Sequence, residues 1–179
     1  RALKKEHRAI AAIGPAAAST SLSAAEEASL VGLPLITLSP TPGLTAKGEY
    51  VLRNFSTHED EASLLATWAV QESQLTHLAV LHPDNGYGRT MAQLFKARAE
   101  ELGATVDLVV AFNPGQTSFV DEASKIEKAS EVQAVFLLVT SGQLSLIGPS
   151  LAYRNVLPSA PGTPTTKKGR TVTLLAPQV

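Results

Sequence analysis

Short unbroken apolar runs alternate along this chain with longer stretches of mixed character, and the alternation predicts strands separated by helices. Residues 9–13 (AIAAI) form the first run, closed by Gly14-Pro15. They read as a strand buried on both faces of a parallel sheet. A helical pattern then continues to about Val31, with Ser21 or Ser23 as its N-cap and Gly32 as its stop. Residues 33–38 (LPLITL) predict the next strand, with Pro34 at its entry, where a missing N–H does least harm. Ser39-Pro40-Thr41-Pro42-Gly43 ends it.

After Gly43 the rhythm breaks. Residues 50–55 (YVLRNF) read as an extended crossing segment. A helix start follows at Thr57, with Glu59, Asp60 and Glu61 suited to its positive first turn. Leu64, Leu65, Trp68 and Ala69 give that helix one apolar stripe. The alternation resumes with a strand at 77–81, a loop at 82–88 and a helix at 89–102 that buries Met91, Leu94, Phe95 and Leu102. A strand at 105–112, a loop at 113–117, a helix at about 118–129 and a strand at 134–139 come next. Residues 143–154 read as a helix disturbed at Gly148-Pro149. Residues 159–170, rich in Pro, Gly, Thr and Lys, read as an exposed, mobile loop, and 171–175 as a final strand. Strands separated by such helices indicate parallel βαβ units with right-handed crossovers, hence an α/β fold. No fixed-period repeat interrupts this, so the chain is not a solenoid.

Composition changes the picture mainly by exclusion. At 179 residues the chain can bury one good core or two small ones. With 44% hydrophobic and 17% charged residues it has the balance of a folded domain. A net charge of -1 and 5% aromatic residues remove the electrostatic and stacking arguments for nucleic acid. No cysteine is present, which excludes disulfides and thiolate metal sites. No apolar run approaches the roughly 20 residues needed to span a bilayer, so no transmembrane segment is expected. The chain begins at Arg1 without a charged-then-apolar leader, and it reads as cut at its N-terminus.

Candidate chemistry narrows the rest. His7, His58, His77 and His82 have no metal-ligand spacing, so neither a metal nor a cofactor is expected. His82 reads as a side chain bonded to backbone or solvent. Ser19 and Ser39 follow strands but lack the G-x-S-x-G frame of a nucleophile elbow. There is no G-x-G-x-x-G and no phosphate-binding loop ending in Lys-Ser/Thr, and Gly86-Tyr87-Gly88 lacks the further glycine. The acidic residues sit in clusters typical of solvated helix faces. What remains is a set of loops, 14–21, 39–42, 82–88 and 140–143, at the carboxyl ends of expected strands. In an open α/β sheet such loops line the ligand crevice. They carry hydroxyls (Ser19, Thr20, Ser39, Thr41, Thr140, Ser141), the phenol of Tyr87 and helix N-termini. That set suits a small polar ligand, above all a carboxylate.

Several segments together resemble the type I periplasmic binding proteins, the class containing the leucine/isoleucine/valine-binding protein of ABC importers. They are Ile13-Gly14-Pro15, the run from Gly32 to Thr41, Tyr50 to Phe55, Asp84-x-x-Tyr87-Gly88, and Gly115 to Phe119, and the likeness covers roughly residues 9–153. Within that class, residues 38–41, 113–117 and 146–152 look most like a penicillin-binding protein activator, an envelope lipoprotein type that regulates peptidoglycan synthases. The resemblance implies Rossmann-like parallel-sheet lobes, incomplete here: 1–48 as part of lobe 1, 49–56 as a hinge crossing, and 57–179 as most of lobe 2. It implies a non-enzymatic binding domain for a small polar ligand such as an amino acid, working with an ABC permease. The alternative it implies is a regulator of a peptidoglycan synthase. The location would be periplasmic or outer-membrane-anchored. Carried over by position, the first-loop Ser falls at Ala18, with Ser19 and Thr20 beside it. The second loop matches Ser39 and Thr41, the lobe-two Tyr matches Tyr87, and a second aromatic gives way to a residue near Ser141. The acid that pairs with a ligand amino group falls beyond the chain or is missing.

Overall fold

The computed structural model describes residues 2–163 and 169–177. The chain forms two compact units, Arg1–His58 and Glu59–Val179.

Unit 1 contains the helical turn α1 (Ala2–Lys5), β1 (Ala12–Ile13), α2 (Ala18–Leu30), β2 (Leu35–Thr37), a 3-10 turn (Thr45–Lys47) and β3 (Val51–Arg53). The strands pair in parallel in the order β1-β2-β3. Residues 51–53 of the segment read as a crossing are thus the third strand of this sheet. The register sets two rows across the strands: Ala12, Leu35 and Val51, then Ile13, Ile36 and Leu52. The first row packs with Ala24, Ala25 and Ala28 of α2, and with Leu44, as the core of the unit. The second row is open, with Ile13 74% and Leu52 56% exposed. The first strand is shorter than expected, and it is partly buried on one face only, because α2 supplies cover on one side. Helix α2 also begins earlier than expected. Ala17 occupies the N-cap without a side-chain bond, and Ser21 lies inside the helix rather than capping it. The alanines ahead of Ser21 have the strongest helix preference of any residue and extend the helix backwards. At the far end Gly32 takes φ +61, and Lys4 Nζ donates to the carbonyls of Val31 and Gly32.

Unit 2 is a five-stranded parallel sheet in the order β5-β4-β6-β8-β7. Its strands are β4 (His77–Pro83), β5 (Thr105–Phe112), β6 (Ala134–Leu137), β7 (Val156–Pro158) and β8 (Arg170–Leu175). Helices α3 (His58–Thr67) and α4 (Gly86–Glu101) belong to one face. Ala62, Ala66, Met91 and Phe95 pack there on Leu78, Val80 and Phe136. Helices α5 (Val120–Lys128) and α6 (Ser141–Tyr153) belong to the other, where Ala123, Ile126, Ile147 and Leu151 pack on Leu81, Val110 and Leu137. Two covered faces explain why the central strands read as unbroken apolar runs. Phe95 stacks on Phe136 at 4.2 Å, and Phe112 meets Phe119 edge-on at 5.2 Å.

Several details differ from the sequence expectation. Helix α3 runs on through a π-helical turn, Trp68–Glu72, and buries its alanines while Leu64 points outward. Helix α4 starts at Gly86, so Tyr87 and Gly88 belong to its first turn and His82 to strand β4. Helix α6 passes through Pro149 without a break. Strand β7 was not expected; Asn155, at φ +57, turns the chain straight from α6 into it. In the expected mobile loop, residues 164–168 lie outside the described residues. On either side of them Ser159 N donates to Val172 O, and Thr171 Oγ1 donates to Thr163 O. Arg170 fastens the start of β8: Nη2 donates to Ile126 O at 2.6 Å, and Nη1 donates to Val132 O at 2.7 Å and to Ala129 and Ser130 O. The carbonyls that end α5 thereby gain a cationic partner.

Candidate functional site

In unit 1 the polar groups converge where β1 and β2 end and α2 begins. Leu38 N and Thr37 Oγ1 both donate to Pro15 O, which ties the two strand ends together. Thr37 Oγ1 also accepts from Ser39 N at 3.3 Å, and Ser39 Oγ accepts from Thr41 N at 3.3 Å. These are short-range turn bonds of the kind Ser and Thr make after a strand. Ser39 Oγ lies 2.8 Å from Thr41 Oγ1, and Ser21 Oγ lies 3.1 Å from the same atom. Ser21, Thr37 and Ser39 are each 0% exposed, while Thr41 is half-buried. Ser19 and Thr20 are exposed in the first turn of α2, with Thr20 Oγ1 donating back to Ala17 O. Of the expected residues, Ser39 and Thr41 are brought together, and Ser19 and Thr20 stay outside that cluster. Ser21 and Thr37 complete it. Ser21 was expected as an N-cap; the signal for its burial was its spacing of four and seven residues from Ala25 and Ala28, which puts all three on one helix face once the helix starts at Ala18.

In unit 2 the topology itself marks a crevice. From β4 the chain leaves by α4 on one face to reach β5; from the adjacent β6 it leaves by α6 on the other face to reach β7. Between two neighbouring strands whose connections diverge, the carboxyl ends are open to a ligand. Tyr87 stands in the first turn of α4, and Ser141 is the first residue of α6. The α4 turn is closed by Asn85, whose Oδ1 accepts from Gly88 N at 2.8 Å. A Cβ on Gly88 would lie 2.1 Å from Pro83 O, so glycine is what lets the helix start so near the strand. At the α6 turn Thr140 and Gln143 form a reciprocal capping box. Gln143 Nε2 also donates to Pro114 O at 3.0 Å, tying the loop after β5 to the same end of the sheet.

Tyr87 is 37% exposed. Its phenol pKa is raised, first by burial and then by the charge of Glu61. His82 is buried at the end of β4, and its Nδ1 bonds Pro83 O at 2.9 Å, a backbone bond as expected. Among the described residues no three His, Asp or Glu gather as metal ligands, and no helix is long and apolar enough to cross a membrane.

Residues 1–159 match the family model described as periplasmic binding protein. A 100-residue stretch, 55% of this chain, is 29% identical to the Leu/Ile/Val-binding protein homolog 3 of Brucella melitensis biotype 1 and covers 27% of that protein. A putative branched-chain amino acid ABC transporter from Rhodospirillum rubrum superposes with a TM-score of 0.76 at 23% identity, over 88% of this chain and 46% of that one. The solute binding protein of an ABC transporter from Rhodopseudomonas palustris BisB5, solved with 3,4-dihydroxybenzoic acid, gives 0.53 at 20% identity, over 88% and 45%. The chain thus spans less than half the length of these proteins. The parallel α/β architecture, the strand-end loops and the match over residues 1–159 agree: the chain belongs to the periplasmic binding protein family, with the type I fold.

Proposed function

We propose that this chain is part of a non-enzymatic solute-binding protein of the periplasm, which takes a small polar ligand such as an amino acid and delivers it to an ABC permease. The observation that carries this is the placing of polar side chains at the carboxyl ends of parallel strands in both units: Ser39, Thr41 and Ser21 cluster in one, and Tyr87 and Ser141 stand in the first turns of the helices that leave adjacent strands β4 and β6 in the other. Helices α2, α4 and α6 begin at those ends, and their first N–H groups favour a carboxylate. The partners of the Ser39 hydroxyl are another hydroxyl and an amide, neither of which is a base that would activate a nucleophile. Two of the similar proteins are named for branched-chain amino acids and a third was solved with a hydroxylated benzoic acid, and a carboxylate is common to both ligand classes.

Titration calorimetry against the common amino acids and a set of hydroxybenzoates tests this. Saturable 1:1 binding of one class is expected, and Tyr87→Phe should weaken it by about tenfold, the worth of one hydrogen bond to a charged or polar ligand group. Heats of dilution alone across both sets would count against the solute-binding reading. Recovery of a peptidoglycan synthase on the immobilised protein would then turn attention to envelope regulation.

A further inference from the structure

At the amino ends of β4, β6 and β8, the end of the sheet away from the crevice, unit 2 holds a cavity of about 530 Å³. Its walls are the turns before β4 and β6, the first residues of β8 and the segment that follows β7. Among the described residues its charged side chains are Glu131 and Arg170, of opposite sign. Both Nη atoms of Arg170 already donate to backbone carbonyls. Burial lowers the guanidinium pKa, and the charges of Glu127 and Glu131 work against that. No charge of the cavity is left over for an ion.

Several polar atoms there do lack partners. Thr173 is 6% exposed, and its Oγ1 meets no partner among the described residues. Buried hydroxyls are nearly always paired, so the partner of this one is whatever fills the cavity. Gln133 Oε1 accepts from Thr76 N at 2.7 Å and from His77 N at 3.1 Å. Those two backbone donors decide which end of the carboxamide faces the turn. The Nε2 end, with two protons, faces away from it and finds no acceptor among the described residues. The hydroxyls of half-buried Ser73 and Ser159 are likewise unengaged among them.

We propose that this cavity is a second binding site of the chain, for a small neutral polyol such as a monosaccharide. A sugar hydroxyl both donates and accepts, so adjacent ones can take a proton from Gln133 Nε2 and exchange bonds with Thr173, Ser73 and Ser159. An apolar guest would leave those groups unpaired, and an ion would meet charge that is already balanced. The volume lies in the range of small-molecule sites. No aromatic ring lines it among the described residues, so binding rests on hydrogen bonds, with a dissociation constant of about 1–10 mM. The site lies at the opposite strand ends from the crevice and is independent of what the crevice holds.

Nitrogen–proton correlation NMR of the whole chain tests it, with methyl α-glucopyranoside, N-acetylglucosamine and myo-inositol as probes. At least one should produce saturating shifts of the Gln133 side-chain NH₂ pair and of the Ser73 and Thr173 backbone amides. Thr173→Val keeps the branched shape and removes the hydroxyl, and should weaken that binding about fivefold, the worth of one hydrogen bond. Should Thr173→Val disturb the sheet, Ser73→Ala, in a turn, should give a loss of the same size. Shifts that stay linear in concentration for all three probes overturn the proposal. So does saturation confined to residues at the carboxyl ends of β4 and β6, or an affinity that neither variant alters. Phosphate or putrescine binding these resonances more tightly than every polyol would overturn the neutral class.

Discussion

Burial and the charge of Glu61 act in the same direction on Tyr87: each disfavours the phenolate, so the phenol holds its proton to a higher pH than an ordinary tyrosine. The folded state therefore binds this proton more tightly than the unfolded chain. The contribution is fully present below the unfolded-state pKa and is lost as pH rises through the folded one. Tyrosinate absorbance followed against pH, with Tyr87→Phe subtracted, should give a midpoint above about 10. Glu61→Gln should move that midpoint down. A difference curve centred at or below the ordinary value would contradict this. Gly88 lends itself to a stability test at the same turn. A methyl there meets Pro83 O, so Gly88→Ala should cost about 1–3 kcal/mol in chemical denaturation, the scale of an overpacked site. The hydroxyls were legible in the sequence as a set, because Ser and Thr after an apolar run have few other uses than turns and ligands. Their division was not. Ser21 turns inward and Ser19 outward through the exact phase of α2, which depends on whether the helix starts at Ala18 or four residues later.

At the level of elements, periodicity located the long pieces and local chemistry misplaced their ends. Strand β5 lies where residues 105–112 predict it, and the buried runs of β4 and β6 were unmistakable. The starts of α2, α4 and α6 all moved towards the N-terminus. In α4 and α6 the caps are Asn85 and Thr140, residues that favour turns as readily as caps and so read as loop. Strand β7 is three residues long and only two residues separate it from the end of α6, so no window divides the two. Pro149 was read as a disturbance, yet α6 carries on around it, with Ser150 Oγ donating to Leu146 O at 2.8 Å in the affected turn. Because the Thr140 box serves two orphan backbone groups, Thr140→Ala should lower stability by about 1 kcal/mol. Thr140→Ser should recover most of that loss, and urea melts of the two variants would separate the cap from the rest of the side chain.

On the scale of the molecule the two units differ in how much holds them. Unit 2 sandwiches its sheet between two buried clusters, whereas the buried core of unit 1 is Ala25, Ala28, Leu35, Leu44 and Val51 under one helix. Local opening follows such differences in buried contact. Amide exchange should therefore be at least about tenfold faster for residues 35–37 of β2 than for residues 78–81 of β4, measured under the same conditions. Equal protection would mean that unit 1 draws stability from something other than this core. That the chain is α/β was plain from the alternation of runs. The order of the strands was not, because pairing is decided by crossovers that leave no mark on any one segment.

One consequence of that order concerns synthesis. Strand β8 lies between β6 and β7, and among the described residues β7 pairs with β8 alone. A ribosome delivers β7 before the strand it needs, and until residue 175 has emerged the open side of β6 stays without a neighbour. The carbonyls at the end of α5 likewise wait for the guanidinium of Arg170. During that interval the nascent chain offers an apolar strand edge to whatever is near, the usual moment for misassembly or for a chaperone. A chain truncated after residue 168 should be cut by a low dose of protease at the α6–β7 junction, and the same chain carried on through residue 179 should resist it.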